Sequence, residues 1–329
     1  MPLVPMKQIL EEARKKCYGV GAYNVNNMEQ IQAIMAASAR TQSPVIIQAS
    51  RGALKYSNFT YLRYLMLAAA EENPSIPIAM HLDHGNSLET VKKAISLGFT
   101  SVMIDGSLME DGKSPSDYDY NVQVTRSVVE YSHKYGVTVE GEIGRLGGIE
   151  DGVGSGSIHV TDPQEAKKFV DDTGLDALAI AIGTSHGAYK FKGAVNLALD
   201  VLKEVRALVD IPLVLHGASS VPKELIDLVN KYGGKMPGAT GVPMASLQEA
   251  IRLGVTKINV DTDGRLAVTA AIRKVFAETP EKFDPRDYLG PARETLAQLI
   301  AQKMKDFGTA GHASDYKPIS LEDAKKYYE

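Results

Sequence analysis

The sequence predicts an α/β fold, a (β/α)8 TIM barrel with extra helices at its C-terminal end. Short apolar or β-branched runs recur eight times along the 329 residues, and amphipathic segments separate them. This alternation of strand and helix implies a parallel sheet, and eight units in a chain of this length favour a closed barrel. A doubly wound open sheet is the alternative, but no Gly-x-Gly-x-x-Gly motif follows the first strand.

The predicted elements follow one another in a regular order. The eight strands are expected at residues 19–25, 44–50, 76–83, 101–105, 137–142, 177–183, 212–216 and 255–261. Helical periodicity is clearest between them at residues 28–39, 88–97, 118–135 and 196–208. The carboxyl ends of the strands meet at one face of a barrel, so polar residues there indicate where an active site is expected.

Three segments interrupt this alternation. Residues 147–157 are rich in glycine and serine and are predicted to form a mobile lid. Residues 232–243 lengthen the connection before the eighth strand, and two or more helices follow residue 263. Since no linker divides the chain, residues 1–329 are predicted to form a single barrel domain, with residues 264–329 as a C-terminal helical extension.

The composition argues against several classes of protein. A net charge of −4 gives no electrostatic reason to expect a nucleic-acid partner or an anionic membrane surface. No apolar run approaches the roughly 20 residues that a transmembrane helix needs, and the N-terminus lacks the apolar core of a signal peptide. The single cysteine, Cys17, excludes an internal disulfide and a cysteine-rich zinc site. We therefore expect a cytoplasmic protein without nucleic-acid or membrane partners.

Three histidines each stand immediately before a glycine near the end of a predicted strand: His84, His186 and His216. Imidazole is a common zinc ligand, and three protein ligands with an open fourth position are typical of a catalytic zinc site. Asp83 lies directly beside His84 in the sequence, which indicates metal-assisted chemistry with a carboxylate as acid and base. Because His81 and Asp83 share one face of their strand, His84 is expected to leave the regular strand at the rim.

Other polar residues mark the ends of the remaining strands. They are Asn24, Ser50, Asp105, Glu142, Asn259 and Asp261. In a barrel they converge with the three histidines on one face, so they are candidates for contacts to the metal ligands or to a substrate.

Five motifs follow one another along the chain: His81-Leu-Asp-His-Gly85, Val139-Glu-Gly-Glu-Ile-Gly144 with Gly147-Gly-Ile-Glu-Asp151, Gly183-Thr-Ser-His-Gly187, His216-Gly-Ala-Ser-Ser220 and Lys257-Ile-Asn-Val-Asp-Thr-Asp263. In this order they resemble the class II, metal-dependent fructose-1,6-bisphosphate aldolases over nearly the whole chain. The loop at residues 232–237 and the tail segments 283–286 and 307–311 are similar to the branch that includes Calvin-cycle and protist-type enzymes. Ala218 departs from the pattern, where relatives often carry serine or glycine.

The resemblance implies reversible cleavage of fructose 1,6-bisphosphate to dihydroxyacetone phosphate and glyceraldehyde 3-phosphate. A Zn²⁺ ion held by His84, His186 and His216 would act as a Lewis acid and stabilise the carbanion next to the carbonyl. Asp83 would exchange the proton of the C4 hydroxyl, and Glu150 would exchange the carbon-bound proton of the dihydroxyacetone half.

The same resemblance implies contacts around the metal. Glu142 and Asp105 would orient a histidine ligand or hold a displaced metal ion, and a second divalent or a monovalent cation is a further possibility. Asn24 and Asn259 would contact the substrate.

The two phosphates of the substrate need separate sites. The phosphate of the dihydroxyacetone half would be held by Gly187, Lys190, Gly217, Ser219, Asp261 and Thr262. The far phosphate would meet Ser50 and Arg265, with Arg265 reaching in from a neighbouring subunit, which implies a homodimer or homotetramer. Arg286, in the tail, is a further candidate for a substrate contact.

Other functions remain open from the sequence. Tagatose 1,6-bisphosphate and sedoheptulose 1,7-bisphosphate are alternative substrates, because discrimination between such sugars depends on small shifts in the pocket. A Schiff-base aldolase would use Lys257 as nucleophile, but this lysine lies lower in its strand and leaves the histidines without a purpose. A non-catalytic sugar-phosphate-binding protein would need neither Asp83 nor the histidines.

Overall fold

The computed structural model describes residues 3–148, 158–189 and 197–329. Eight parallel strands pair in chain order and close into a barrel, which confirms the predicted fold class. The strands are β1 (Val20–Asn24), β2 (Val45–Ser50), β3 (Ile78–Gly85), β4 (Ser101–Ile104), β5 (Thr138–Ile143), β6 (Ala177–Ile180), β7 (Leu213–Leu215) and β8 (Val255–Val260). The pairing of β1 with β8, which sets Ala22 opposite Asn259, completes the barrel.

Helices occupy every crossover between the strands. The described residues form α1 (Met6–Lys16), α2 (Met28–Thr41), α3 (Arg51–Ser57), α4 (Phe59–Glu72), α5 (Leu88–Ser96), α6 (Tyr118–His133), α7 (Pro163–Thr173), α8 (Leu199–Leu208), α9 (Lys223–Lys231), α10 (Met244–Arg252), α11 (Thr262–Glu278), α12 (Pro285–Asp306) and α13 (Leu321–Ala324). The four helices predicted by periodicity agree with α2, α5, α6 and α8 to within three residues at either end.

Side-chain caps determine where several of these helices begin. Asn27, Ser87, Asp117 and Asp162 each accept a hydrogen bond from a backbone N–H in the first turn of α2, α5, α6 and α7. Such caps satisfy N–H groups that have no partner within the helix. Each of these helices therefore begins at its capping residue, beyond the end of the preceding strand. The carboxyl ends of the strands stay outside the helices and are available for a site.

α1 closes the amino-terminal end of the barrel. Its buried Met6 and Leu10 belong to one apolar cluster with the small residues Ala79 and Ala177, which lie on β3 and β6. The backbone N–H of Lys7 donates to Thr138 Oγ1 at the start of β5, over 2.9 Å. The opposite, carboxyl-terminal end is thereby left as the open face of the barrel.

The C-terminal helices pack on the outside of the barrel. α12 lies against α2 and α11, and α11 lies against α9. The extra helices predicted from the sequence are therefore present. Among the described residues, no helix is both long and apolar enough to cross a bilayer.

Candidate active site

The structure brings the three predicted histidines together. His84 lies at the end of β3, His186 follows β6, and His216 directly follows β7. One ring nitrogen from each lies within 4.8 Å of the others. Nε2 of His84 is 3.0 Å from Nδ1 of His216, and the rings of His84 and His186 are 5.6 Å apart between centroids. This convergence is possible because the three strands end on the same face of the barrel.

The backbone of His84 departs from a regular strand, as the alternation of His81 and Asp83 requires. Its φ is 108°, which a non-glycine residue rarely adopts, and the register between β3 and β4 shifts between Leu82 and Gly85. Such a conformation costs on the order of 1–3 kcal/mol and persists only where the surroundings hold it. Here the Arg51 Nε–H donates to the carbonyl oxygen of His84 over 2.9 Å.

Asp83 is a buried carboxylate surrounded by amide donors. Its Oδ2 accepts from Asn24 Nδ2 at 2.9 Å and from Gln48 Nε2 at 3.3 Å, and its Oδ1 accepts from Asn259 Nδ2 at 3.3 Å. Burial alone would raise the pKa of Asp83, but the nearby His84 and other cationic groups outweigh burial and lower it. The side chain is therefore ionised at neutral pH and able to accept a proton.

Two further carboxylates lie on the other side of His84. Asp105 Oδ2 is 3.4 Å from His84 Nδ1, and Glu142 offers a ligand atom within 4.8 Å of both residues. Burial lowers the pKa of His84, but Asp83 and Asp105 outweigh it and raise this pKa to about 9. Burial and the neighbouring Asp105 raise the pKa of Glu142 well above its usual range. Within the described chain, Glu142 Oε2 is buried without a hydrogen-bond donor.

A buried ion pair lies beneath His216. Glu140 Oε1 is 2.7 Å from His216 Nε2, and Glu140 Oε2 is 2.9 Å from Lys257 Nζ. The side chains of Glu140 and Lys257 are fully buried. Burial, and then the charge of His84, lowers the pKa of His216 well below its usual range. A neutral imidazole of fixed orientation is the form that binds a metal ion.

The loops after β7 and β8 form the wall predicted to hold a phosphate. Gly217 has a φ of 58°, and a Cβ at this position would lie 2.7 Å from the carbonyl group of Ser185. Only glycine allows this close approach of two backbone segments. Ser219 Oγ accepts from the backbone N–H of Asp261 at 3.3 Å, which ties this loop to the end of β8.

The remaining predicted residues differ in where they lie. Ser50 caps α3, Gly187 follows His186 with a φ of 84°, and Thr262 opens α11. Arg265 forms an ion pair with Asp261 of its own chain, with Nη2 and Oδ2 2.5 Å apart.

Arg286 lies apart from this group. It is largely exposed at the start of α12, where it pairs with Asp284, and a substrate contact by Arg286 stays a prediction. Glu150 and Lys190 lie outside the described residues, as does most of the predicted lid at 147–157.

One cavity joins most of these residues at the carboxyl face. Its walls are formed by Asn24, Ser50, Arg51, Gly52, Asp83, His84, His186, Gly217, Ala218, Ser219, Asn259 and Asp261. Sequence reasoning assigned no role to Arg51, Gly52, Gln48 or Glu140. The position of Arg51 and Gly52, directly after Ser50 at the end of β2, is a signal that could have identified them.

A barrel with a histidine cluster and an ionised carboxylate at its carboxyl face defines a candidate metal-dependent enzyme. Residues 4–312 match the family model for class-II fructose-bisphosphate aldolase. The chain is 59% identical to a fructose-bisphosphate aldolase from Giardia intestinalis over the full length of both chains. It is 50% identical to one from Pseudomonas aeruginosa, over 100% of this chain and 97% of the relative. The chain therefore belongs to the class II fructose-bisphosphate aldolase family, a family of metal-dependent carbon–carbon lyases.

Solved structures agree with this assignment. The YdjI aldolase from Escherichia coli K12 superposes with a TM-score of 0.75 at 29% identity, covering 94% of this chain and 99% of that chain. A putative fructose-1,6-biphosphate aldolase from Coccidioides immitis has a TM-score of 0.75 at 28% identity, covering 94% and 97%. The resemblance drawn from the five motifs is confirmed.

Proposed function

We propose that this chain catalyses the reversible aldol cleavage of fructose 1,6-bisphosphate to dihydroxyacetone phosphate and glyceraldehyde 3-phosphate, with one zinc ion as its metal. The observation that carries the proposal is the contact between Asp83 and the histidine cluster. Asp83 Oδ1 lies 3.8 Å from His84 Nε2, so the carboxylate that would act as the base lies beside a nitrogen of the histidine cluster. Acid–base chemistry beside a Lewis acid is the combination that an aldol cleavage needs.

The histidine cluster fits zinc. Two imidazoles bound to a tetrahedral zinc at about 2.0–2.1 Å each have ligand nitrogens about 3.3 Å apart. The distance of 3.0 Å between His84 Nε2 and His216 Nδ1 is close to this value. Three nitrogen ligands suit zinc or cobalt better than magnesium, which prefers oxygen. When bound, the ion supplies Lewis-acid polarisation of the substrate carbonyl.

Asp83 moves the proton in this proposal. In cleavage its carboxylate takes the proton of the C4 hydroxyl, and in condensation it returns that proton. Asn24 and Asn259, which donate to its two oxygens, hold the carboxylate in place and contact the substrate. Glu150 exchanges the carbon-bound proton of the dihydroxyacetone half. This assignment follows from the family resemblance.

Asp105 and Glu142 form a second acidic group around His84. His84, Asp105 and Glu142 together could hold a metal ion, and Glu142 Oε2 is a buried oxygen with no donor in the described part of the chain. We infer that the two carboxylates orient His84 and can hold a displaced divalent ion or a second cation.

The phosphates bind at opposite ends of the cavity in this proposal. Gly187, Gly217, Ser219 and the start of α11 at Asp261 and Thr262 hold one phosphate through backbone N–H groups and hydroxyls, with Lys190 as the cation. The far phosphate meets Ser50, and Arg265 of a neighbouring subunit approaches it. The enzyme is then a homodimer or homotetramer of the cytoplasm.

The buried position of Lys257 argues against a Schiff-base mechanism. Its Nζ lies 2.9 Å from Glu140 Oε2 and donates to Asn259 Oδ1 at 2.8 Å. A nucleophilic lysine must reach a substrate carbonyl as a neutral amine, whereas this ammonium is fully buried and paired with a carboxylate.

Two measurements test the proposal. Exhaustive chelation should abolish cleavage, and Zn²⁺ or Co²⁺ should restore it. Activity that survives chelation and is trapped by borohydride with substrate would instead support Lys257 as a nucleophile. Comparing kcat/KM for fructose 1,6-, tagatose 1,6- and sedoheptulose 1,7-bisphosphate identifies the substrate, and a clear preference for either of the last two would overturn the proposed one.

A further inference from the structure

Arg51 lies in the wall of the cavity without a role in the chemistry described above. It is the first residue of α3, and its half-buried side chain turns back towards the end of β3. Its Nε–H donates to the carbonyl oxygen of His84 over 2.9 Å. Among the described residues, the Arg51 side chain makes no other hydrogen bond. The guanidinium is therefore held through Nε and not through its terminal amino groups.

The accepting carbonyl belongs to the most unusual backbone in the site. His84 has a φ of 108°, and it lies within the register shift between β3 and β4. The next carbonyl along the chain, that of Gly85, accepts from the Asp105 N–H at 2.9 Å. Two successive carbonyls are thus held, that of His84 by a side chain and that of Gly85 by the backbone directly after β4. The direction of the His84 imidazole depends on this backbone.

We propose that Arg51 is a positioning residue for the reaction: its Nε–H holds the His84 backbone in the conformation that directs the imidazole towards His186 and His216. The inference rests on the proposed role of His84 as a metal ligand. Arg51 acts through His84 and has no contact with the reacting atoms. The competing role for a cation in this wall is direct binding of the far phosphate, which would use the charge of the side chain.

Three substitutions separate these roles. In Arg51→Gln the amide nitrogen is the same number of bonds from Cα as Nε, so the donor remains while the charge is lost. In Arg51→Met a stem of equal length has neither donor nor charge. In Arg51→Lys the charge remains, but the ammonium extends one bond beyond the position of Nε. If Arg51 positions His84, the glutamine variant should retain the most function. If Arg51 instead binds the phosphate, the lysine variant should retain the most function.

The measurement is the affinity for Zn²⁺ and Co²⁺, by competition with a chelator, together with the visible spectrum of the cobalt-loaded protein. We expect Arg51→Met to weaken metal affinity by about 10- to 100-fold, the range for residues that orient a metal ligand. It should also alter the cobalt spectrum, and Arg51→Gln should stay within about 3-fold of the parent. The proposal would be overturned if all three variants kept the metal affinity of the parent. It would then be phosphate binding that Arg51 serves if KM for the bisphosphate rose in the methionine and glutamine variants but not in the lysine variant.

Arg63 provides a matched control. Its Nε–H donates to the carbonyl of Leu97 over 2.8 Å, the same interaction at a position outside the cavity. Arg63→Met should therefore affect stability in a similar way and leave metal affinity unchanged. If Arg51→Met does not fold, the comparison of the glutamine and lysine variants still distinguishes positioning of His84 from phosphate binding. His84→Ala tests the underlying assignment: metal retained by this variant refutes His84 as a ligand, whereas metal lost there but kept in Arg51→Met refutes only the role of Arg51.

Discussion

Nδ1 of His216 faces Nε2 of His84 at 3.0 Å, while the other ring nitrogen of His216 lies 2.7 Å from Glu140 Oε1. His216 thus connects the histidine cluster to the buried ion pair of Glu140 and Lys257. Glu140 lies on β5, Lys257 lies on β8 and His216 directly follows β7, so the three groups meet in the interior of the barrel. The orientation of His216, a proposed metal ligand, is fixed here by side chains that are fully buried.

Substitution of the ion pair tests this coupling. Glu140→Gln and Lys257→Met should each lower the free energy of unfolding by about 3–5 kcal/mol, because each leaves a buried partner uncompensated. The double variant should recover part of that loss, since no unpaired charge remains. Metal affinity should behave differently and stay about 10- to 100-fold low in the double variant, because His216 still lacks its carboxylate.

Denaturant unfolding and metal competition measure the two effects separately. Stability losses that simply add in the double variant would show that Glu140 and Lys257 do not interact. Metal affinity that recovers together with stability would show that Glu140 has no orienting effect on His216.

Asp83→Asn tests the proposed base. The amide keeps the size of the side chain, so the variant should retain metal and substrate binding. Its kcat should fall by about 10²- to 10⁴-fold, the usual contribution of a general acid or base. Metal content and steady-state kinetics check this. Near-normal turnover would place the base elsewhere, with Glu150 as the first residue to substitute.

Asp176 provides a test far from the site, at the closed end of the barrel. Its Oδ1 is 2.9 Å from Lys7 Nζ, and its Oδ2 accepts from the Val139 N–H at 2.8 Å and lies 2.9 Å from His133 Nε2. Burial would raise the pKa of Asp176, but the hydrogen bond to His133 and the charge of Lys7 outweigh it and lower the pKa.

A lowered pKa makes this contribution to stability pH-dependent. It is fully present above the unfolded-state pKa of about 4 and is lost as the pH falls through the folded-state value. Asp176→Asn should therefore lower stability by about 2–4 kcal/mol at pH 7. Its difference from the parent should shrink below about pH 4.

Thermal and denaturant unfolding between pH 3 and pH 7, in roughly unit steps, measures this dependence. Asp210→Asn is the control, because Asp210 forms an exposed ion pair with Arg14 that should contribute little. A stability difference for Asp176→Asn that does not vary with pH would contradict the assignment.

The sequence predicted the parts of the site that depend on strand order. His84, His186 and His216 stand at strand ends, and the barrel necessarily gathers such ends on one face. The bend at His84 was also predictable, because the alternation of His81 and Asp83 leaves it no regular position. These features follow from local pattern plus one topological rule.

Other features depend on contacts between distant elements and could not be read locally. Glu140 and Lys257 meet across the barrel interior, and their sequence positions do not indicate which buried charges will pair. The role of Arg51 depends on a backbone conformation in β3 and on the direction in which α3 leaves β2. α1 precedes the first strand, and its place beneath the barrel is fixed by its apolar contacts with β3 and β6.

Substitution of Arg265 tests whether this residue binds the far phosphate, and a mixed oligomer tests whether two subunits share a site. In this structure its guanidinium pairs with Asp261 of its own chain, at the edge of the cavity, and about 40% of its side chain is exposed. Arg265→Ala should raise KM for the bisphosphate by about 10- to 100-fold, the effect of losing a charge-assisted hydrogen bond to a phosphate. Binding of dihydroxyacetone phosphate alone should change much less, because this triose lacks the far phosphate. Arg273→Ala, two turns further along α11, is the matched control and should change neither.

A mixed oligomer then locates the residue. If Arg265 serves the neighbouring subunit, a dimer of one Asp83→Ala subunit and one Arg265→Ala subunit contains one site with both groups intact and one with neither. At a bisphosphate concentration far below the raised KM, each variant alone should have little activity. Subunit exchange between the two variants should then restore activity, up to about half of the value of the unsubstituted enzyme per mixed dimer. Exchange is followed independently by mass spectrometry of tagged subunits. Mixed dimers that form without recovering activity would place Arg265 in the site of its own subunit, where its ion pair with Asp261 already lies.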